Sequence, residues 1–426
     1  MSRDRRLWTL GAALLVVIIA IPALAPSAWA QSSYKTLHKF VIGKFGKFDG
    51  IEPAASLIFD QAGNLFGTTW DNGNACGCGS VFQLTPNPDG SWSNKWLHVF
   101  AGGSDGAGPR ASLIFDQAGN LFGTTFVGGA NNLGTVFRLT PKSDGSWTEN
   151  VLYSFTGGND GAEPAAGLIL DHDGNLYGTT SGYQTNGFGT VFKLTPKAGG
   201  SWMESVLYSF TGGNDGAEPF ADLIFDKAGN LYGTTSGYST SNLGTVFKLT
   251  PKADGSWTES VLYSFTGGND GAEPFAGLIF DHAGNLYGTT TYGGDTACYQ
   301  GCGVVFELTL HTKDGRWKEK VLHDFTGGND GAKPEADLIF DQTGNLYSTT
   351  QEGGDLSYCY GHGCGVVFKL APNSKGGWNE TVLHSFTDHP GAWPSAGLIF
   401  DASGNLYGTT YGDNLTTHGS VFEITP

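Results

Sequence analysis

A unit of about fifty-five residues recurs seven times and makes up almost all of the chain after its first thirty residues. Its clearest marker is Asp-x-x-Gly-Asn-Leu, at Asp60, Asp116, Asp171, Asp226, Asp281, Asp341 and Asp401. A period of this length makes each copy one supersecondary unit that cannot bury its apolar face alone, so neighbouring copies must stack into a continuous core. A chain of 426 residues would ordinarily suggest two or three domains. The repeat, running from about Ser33 to Pro426, predicts a single closed body instead.

The third copy shows how one unit is built. Its β-rich runs fall within Glu163–Asp171, Leu176–Thr180, Gly189–Pro196 and Ser201–Phe210, each ending at Gly, Pro, Asn or Asp, the pattern of successive short strands. Four strands per repeat, seven times over, predict an all-β, seven-bladed propeller of four-stranded antiparallel blades. Asp-x-x-Gly-Asn fits a three-residue hairpin loop with Gly in the left-handed conformation and Asp accepting backbone amides, so the seven aspartates read as turn-makers. Trp92, Trp147, Trp202, Trp257, Trp317 and Trp378 recur at the start of the fourth strand and are expected to pack between blades. His38, His98, His323 and His384 share one position with Tyr153, Tyr208 and Tyr263, which marks a structural aromatic slot. With Gly-Leu-Ile-Phe-Asp as innermost strand, the repeat starts on an outermost strand at Tyr34–Phe40 and ends on a third strand at Ser420–Thr425. Pairing of those two segments is expected to complete the seventh blade and leave no free sheet edge.

Gly is abundant at 67 residues while charged residues are only 15%, which describes a turn-rich β protein and not a disordered chain. At the N-terminus, Arg3, Arg5 and Arg6 precede an apolar run from Leu10 to Ala25 and a small-x-small site at Ala28-Trp29-Ala30. This reads as a secretory signal peptide over residues 1–30, leaving 31–426 as the propeller and placing it in the periplasm or outside the cell. Pro22 interrupts the run, which falls short of the ~20 apolar residues of a membrane span, so no span is expected after cleavage. Losing three Arg and one Asp with that segment would take the formal charge from -17 to -19. Such a chain lacks the Lys and Arg clusters that displace counterions from phosphates, and nucleic acid is excluded as a partner.

The segments Gly-Asn-Leu-Tyr-Gly-Thr-Thr, Gly-Thr-Val-Phe-Lys-Leu-Thr-Pro and Val-Leu-Tyr-Ser-Phe-Thr-Gly-Gly-Asn-Asp-Gly-Ala-Glu-Pro resemble the GloVer (Gloeo/Verruco) tandem-repeat proteins over nearly the whole mature chain. That resemblance implies an exported or surface protein of bacteria whose shared repeat carries differing C-terminal anchors. It brings no established reaction and no catalytic residues. Here the sequence reaches Pro426 directly after a strand, without a sorting motif, and release is expected in place of anchoring.

In such blades the loop between the second and third strands and the loop leading into the next blade share one face, and the Asp-x-x-Gly turns lie on the other. The inter-blade loops carry Asp49, Glu52, Asp105, Asp160, Glu163 and further acids down to Asp330. A ring of carboxylates could hold Ca²⁺ as the one possible cofactor, but Asp-Gly is also turn chemistry and no copy has the ligand spacing of a calcium loop. Between Thr-Thr and the Gly opening the third strand, five copies have eight or nine residues, whereas the fifth and sixth have twelve and fourteen. Long loops on a rigid scaffold are where binding residues sit, and these two carry Tyr292, Asp295, Tyr299, Glu352, Asp355, Tyr358, Tyr360 and His362. The equivalent loops elsewhere offer Trp70, Phe126, Tyr183, Tyr238 and Tyr411. Aromatic faces beside carboxylates suit sugars, although loop aromatics also anchor protein partners or pack their own loop.

All six cysteines fall in these loops as the pairs Cys76 and Cys78, Cys298 and Cys302, and Cys359 and Cys364. Close pairs in an exported chain read as disulfide clips; the first, enclosing a single Gly, is expected to be strained and is the one that could stay free. Zinc is not expected, because His362 is the only nearby imidazole. No catalytic residue or metal ligand is assigned. The sequence thus predicts a secreted, monomeric propeller that binds a polysaccharide or a surface protein through the face bearing the long loops. A polysaccharide lyase or glycoside hydrolase acting at that face, and a structural envelope or matrix protein, are the alternatives.

Overall fold

The computed structural model describes residues 32–41, 50–72, 76–185, 187–238, 240–389, 391–412 and 418–426. The expected signal peptide and Asp49 lie outside them. The chain forms seven four-stranded antiparallel sheets, each a blade. Blade 1 runs outward from Ile58–Phe59 through Leu65–Thr69 and Ser80–Pro86 to Trp92–Val99, and five more blades repeat this order. In blade 7, Ile399–Phe400, Leu406–Thr410 and Ser420–Thr425 are completed by Ser33–Lys39 on the outside. The register runs from Ser33 opposite Thr425 to Lys39 opposite Ser420, so the expected closure is found. The Phe40 amide extends it by donating to the Gly419 carbonyl at 3.0 Å.

The aspartate turns form as their chemistry requires. Asp60 Oδ1 accepts the amides of Ala62 and Asn64 at 2.9 and 2.8 Å, and its Oδ2 accepts Asn64 Nδ2 at 2.7 Å. Gly63 sits at φ 82°, where a side chain would be strained. The remaining copies repeat the arrangement, and in blade 3 Tyr177 adds a hydroxyl donated to Asp171 Oδ2.

The core lies between blades. Seven apolar clusters each draw on two neighbours: Phe66 and Phe100 of blade 1 pack with Leu121 and Phe137 of blade 2, and Leu37 and Val421 of blade 7 pack with Leu57 and Phe82 of blade 1. Trp147 of blade 2 meets Phe66 of blade 1 at 6.4 Å, the inter-blade role expected of the tryptophans. Phe82, Phe137, Phe192, Phe247 and Phe306 are fully buried at one repeat position, each worth about 2–3 kcal/mol of burial. The shared His/Tyr slot is structural: His98 and Tyr153 stand edge-on to Phe100 and Phe155 at 4.7 and 5.2 Å.

One backbone feature prepares the central channel. The residue before proline in the loop leading into each innermost strand has positive φ: Glu52 59°, Glu163 62°, Glu218 58°, Glu273 53°, Lys333 54° and Trp393 55°, with Gly108 serving blade 2. Non-glycine residues in this region cost of order 1–3 kcal/mol each. The kink directs the residue after each proline towards the axis.

Candidate functional site

The residue after that proline comes once from each blade, and all seven surround a single cavity of about 560 Å³. A cavity touched by equivalent positions of every blade lies on the axis, at the mouth of the channel. Three of these positions hold small residues, Ala54, Ala165 and Ser395; two hold Phe220 and Phe275; the last two are Arg110 and Glu335. Residues following Thr-Thr in the second-to-third-strand loops complete the rim, including Trp70, Phe126, Gln351 and Tyr411.

The resulting cup has two unlike walls. On blades 3 to 5, Tyr183, Phe220, Tyr238 and Phe275 form a continuous aromatic wall with centroid separations of 5.5 to 6.4 Å. Tyr238 remains 52% exposed there, about half of its surface open to the cup. Blades 6, 7, 1 and 2 supply polar groups. Gln351 Nε2 donates to Glu335 Oε2 at 3.1 Å, and the Tyr411 hydroxyl donates to Glu52 Oε2 at 2.7 Å. The Arg110 guanidinium lies 5.5 Å from the Trp70 ring and 5.3 Å from the Phe126 ring.

The charged groups of the cup are crowded by protein atoms while keeping part of their surface open, Arg110 being exposed and Glu335 half-buried. Burial pushes the Glu335 carboxyl up to about 7, against the pull of Arg110 and Lys333. Further down the channel, Asp222 of blade 4 accepts the Gly167 amide at 2.5 Å, and Asp337 of blade 6 accepts the Gly277 amide at 2.6 Å. Burial raises both carboxyls, and the proximity of Asp337 raises Asp222 further. Equivalent positions elsewhere carry Ser56, Ser112, Gly167, Gly277 and Gly397, so neither acid is required by the repeat.

The residues singled out from the sequence are divided among the cup, its margin, a separate cleft and the loop surfaces. Trp70 lines the cup. Tyr292 lies at its margin, with Lys333 Nζ 5.8 Å from its ring and its hydroxyl pushed up to about 12 by burial and then by Glu335 and Glu273. Glu352, Tyr360 and His362 line a separate cleft of about 220 Å³ with Gln351, Cys359 and Trp393, and Glu352 is paired with Lys333 at 2.9 Å. Asp295 and Asp355 accept the amides of Ala297 and Ser357 in their own loops. Tyr299 is 81% exposed, and Tyr358 also lies on the surface outside the cup. The sequence reading missed Arg110, Glu335, Asp222 and Asp337. Their signal was substitution at positions that are otherwise Ala, Ser, Gly or Phe.

All three cysteine pairs are bonded, with Cα separations of 5.2 Å for Cys76–Cys78, 5.0 Å for Cys298–Cys302 and 5.3 Å for Cys359–Cys364. Positive φ at Gly77 (62°) turns the chain back within the shortest pair. Disulfides belong to an oxidising compartment. Among the described residues no helix is long and apolar enough to cross a membrane. The inter-blade aspartates are engaged in their turns: Asp160 accepts the Thr156 amide, the Thr156 hydroxyl and the Tyr153 hydroxyl at 2.6 to 2.9 Å. At the blade 1–2 boundary His98, Asp105 and Glu149 bring one imidazole nitrogen and two carboxylate oxygens within 4.8 Å of one another. That mixed donor set departs from the all-oxygen shell calcium favours.

Fold and site together define a repeat propeller whose axis opens into an aromatic cup with unrepeated charged groups. The sequence matches the Gloeobacter/Verrucomicrobia repeat over residues 27–144, 75–300 and 255–426, and the chain belongs to that family. Comparison with curated proteins found no match. Among solved structures, an ancestral GH74 enzyme is similar at TM-score 0.57 and 12% identity, over 92% of this chain and 50% of its own. A puromycin-hydrolyzing peptidase of Mycobacterium tuberculosis is similar at TM-score 0.50 and 11% identity, over 86% of this chain and 51% of its own. The chain therefore spans about half the length of both, and at these identities the likeness concerns the fold alone.

Proposed function

We propose that this is an exported binding propeller that seats a sugar chain in the cup at the mouth of its channel. The observation that carries the reading is the pairing of the Tyr183–Phe220–Tyr238–Phe275 wall with the facing Glu335, Gln351 and Arg110. Ring faces offer an apolar platform to sugar C–H groups, while acids and amides take the hydroxyls. The long loops of blades 5 and 6 stand on the same face and extend the contact, with Tyr299 and Tyr360 exposed for a longer chain or for a surface protein that bears it.

A second reading, a glycoside hydrolase or lyase, is favoured by one observation: Glu335, Asp222 and Asp337 line the same channel with carboxyls raised by burial, the condition a general acid needs near neutrality. Both readings are tested by co-sedimenting the protein with a panel of insoluble polysaccharides, with calcium or with chelator, while assaying the supernatant for new sugar ends. Retention without release is the expected result; release supports the enzyme. A Trp70→Ala, Tyr238→Ala double variant is expected to lose at least tenfold in retention, about 1.4 kcal/mol. The Tyr299→Ala, Tyr358→Ala, Tyr360→Ala triple variant separates cup from loops. If it alone abolishes retention, the long loops are the site and the cup is not.

A further inference from the structure

We propose that the sugar taken by the cup is anionic, carrying a carboxylate or a sulfate group, and that Arg110 grips that group. This rests on the sugar-binding reading above and names its ligand class. Arg110 occupies a position that the other blades fill with Ala54, Ala165, Phe220, Phe275, Glu335 and Ser395, so blade architecture does not call for a guanidinium there. Its side chain is exposed to the cup, although protein atoms crowd around it enough to lower its affinity for its proton, and among the described residues it makes no hydrogen bond and no ion pair. Its guanidinium lies beside the Trp70 and Phe126 rings, at 5.5 and 5.3 Å, which leaves its N–H edges uncommitted.

A guanidinium cannot shed its charge under ordinary conditions and carries five donors in a rigid fork. A fork beside two rings and open towards a cavity matches the two oxygens of a carboxylate or sulfate through parallel N–H···O bonds. The acids nearby do not fill that role. Glu335 reaches Arg110 through space only and already accepts from Gln351, and burial favours its neutral form. The other cation at the mouth, Lys333, is engaged by Glu352 at 2.9 Å. Among the described residues Arg110 is thus the one guanidinium or ammonium group lining the cup, and the aromatic wall across from it would stack the ring of the same sugar.

The test is titration calorimetry of the purified protein with four trisaccharides: a uronate, its methyl ester, a sulfated sugar and a neutral one. The native protein is expected to bind the uronate or the sulfated sugar at least tenfold more tightly than the ester and the neutral sugar, with a preference that shrinks as salt rises. Whichever anion binds better identifies the group. Arg110→Gln is expected to abolish the preference, the uronate and the sulfated sugar then binding no more tightly than the ester, and Arg110→Lys to restore part of it. Equal binding of uronate, sulfated sugar, ester and neutral sugar by the native protein overturns the inference while leaving the sugar-binding reading intact, and needs no variant to fold. An anion preference that survives Arg110→Gln also overturns it. Absence of binding to any of the four overturns both.

Discussion

Asp171 gathers four donors around one carboxylate: the amides of Asp173 and Asn175 at 3.0 and 2.9 Å, Asn175 Nδ2 at 2.7 Å and the Tyr177 hydroxyl at 3.0 Å. These bonds hold its carboxyl below the usual aspartate range despite partial burial. Replacing it with Ala strands all four, and Asp171→Ala is expected to destabilise the protein by about 1–2 kcal/mol, with Asp171→Asn retaining part of the loss, as read from the denaturant midpoint. Such a residue was legible in the sequence because its partners lie within six positions and the turn chemistry is local. Arg110 was not. Its meaning emerges only when seven prolines are superposed on one axis, and no local pattern says which position of a blade faces that axis. The long loops of blades 5 and 6 drew attention by their length, whereas the cup is made mostly by single substitutions in loops of ordinary length.

Between neighbouring blades a second repeated arrangement appears, built by residues that are distant in sequence. Asp160, in the loop leading into blade 3, accepts the hydroxyl of Tyr153 from blade 2, and Glu204 comes from the outermost strand of blade 3, with Oε1 buried and unpartnered. Asp105 with Glu149, Asp215 with Glu259, Asp270 with Glu319 and Asp330 with Glu380 repeat it. Burial first, and the aspartate second, push Glu149, Glu204, Glu259 and Glu319 up to about 7 from an ordinary 4.5. Between those values the folded state keeps protons that the unfolded chain has released, so stability falls as pH rises through the window. The turn aspartates act oppositely: Asp341, lowered to about 2, contributes above the unfolded value and loses that contribution as pH falls. The melting temperature is therefore expected to be higher near pH 5 than at pH 8. Glu204→Gln should raise it at pH 8 by about 1–2 °C and leave it nearly unchanged at pH 5. A melting temperature that climbs from pH 5 to pH 8 contradicts this account. The sequence disclosed the His/Tyr half of the arrangement by exchange at one position, but the glutamate half depends on how two blades are set against each other.

The ring as a whole was legible because its period, strand count and phase are written seven times over, and the phase alone required the pairing of Ser33–Lys39 with Ser420–Thr425. Packing that is shared by adjacent blades makes this seam the equal of the other six: Leu37, Phe40, Tyr407 and Val421 join Leu57, Leu65 and Phe82 in one cluster. Deleting residues 32–41 exposes the edge of Ser420–Thr425 and half of that cluster, and is expected to lower the melting temperature by more than 10 °C or to shift the protein into aggregates, as calorimetry and size-exclusion chromatography would record. An unchanged melt would mean that the seam contributes nothing. What the seam also does is separate two partners by about 390 positions, the longest strand pairing among the described residues, so that Ser33–Lys39 waits for the whole ring to be made before its mate appears. During that wait it can accept the corresponding strand of another molecule without changing a single native hydrogen bond, and reciprocal exchange of Ser33–Lys39 would yield a domain-swapped dimer held by the same register that closes the monomer.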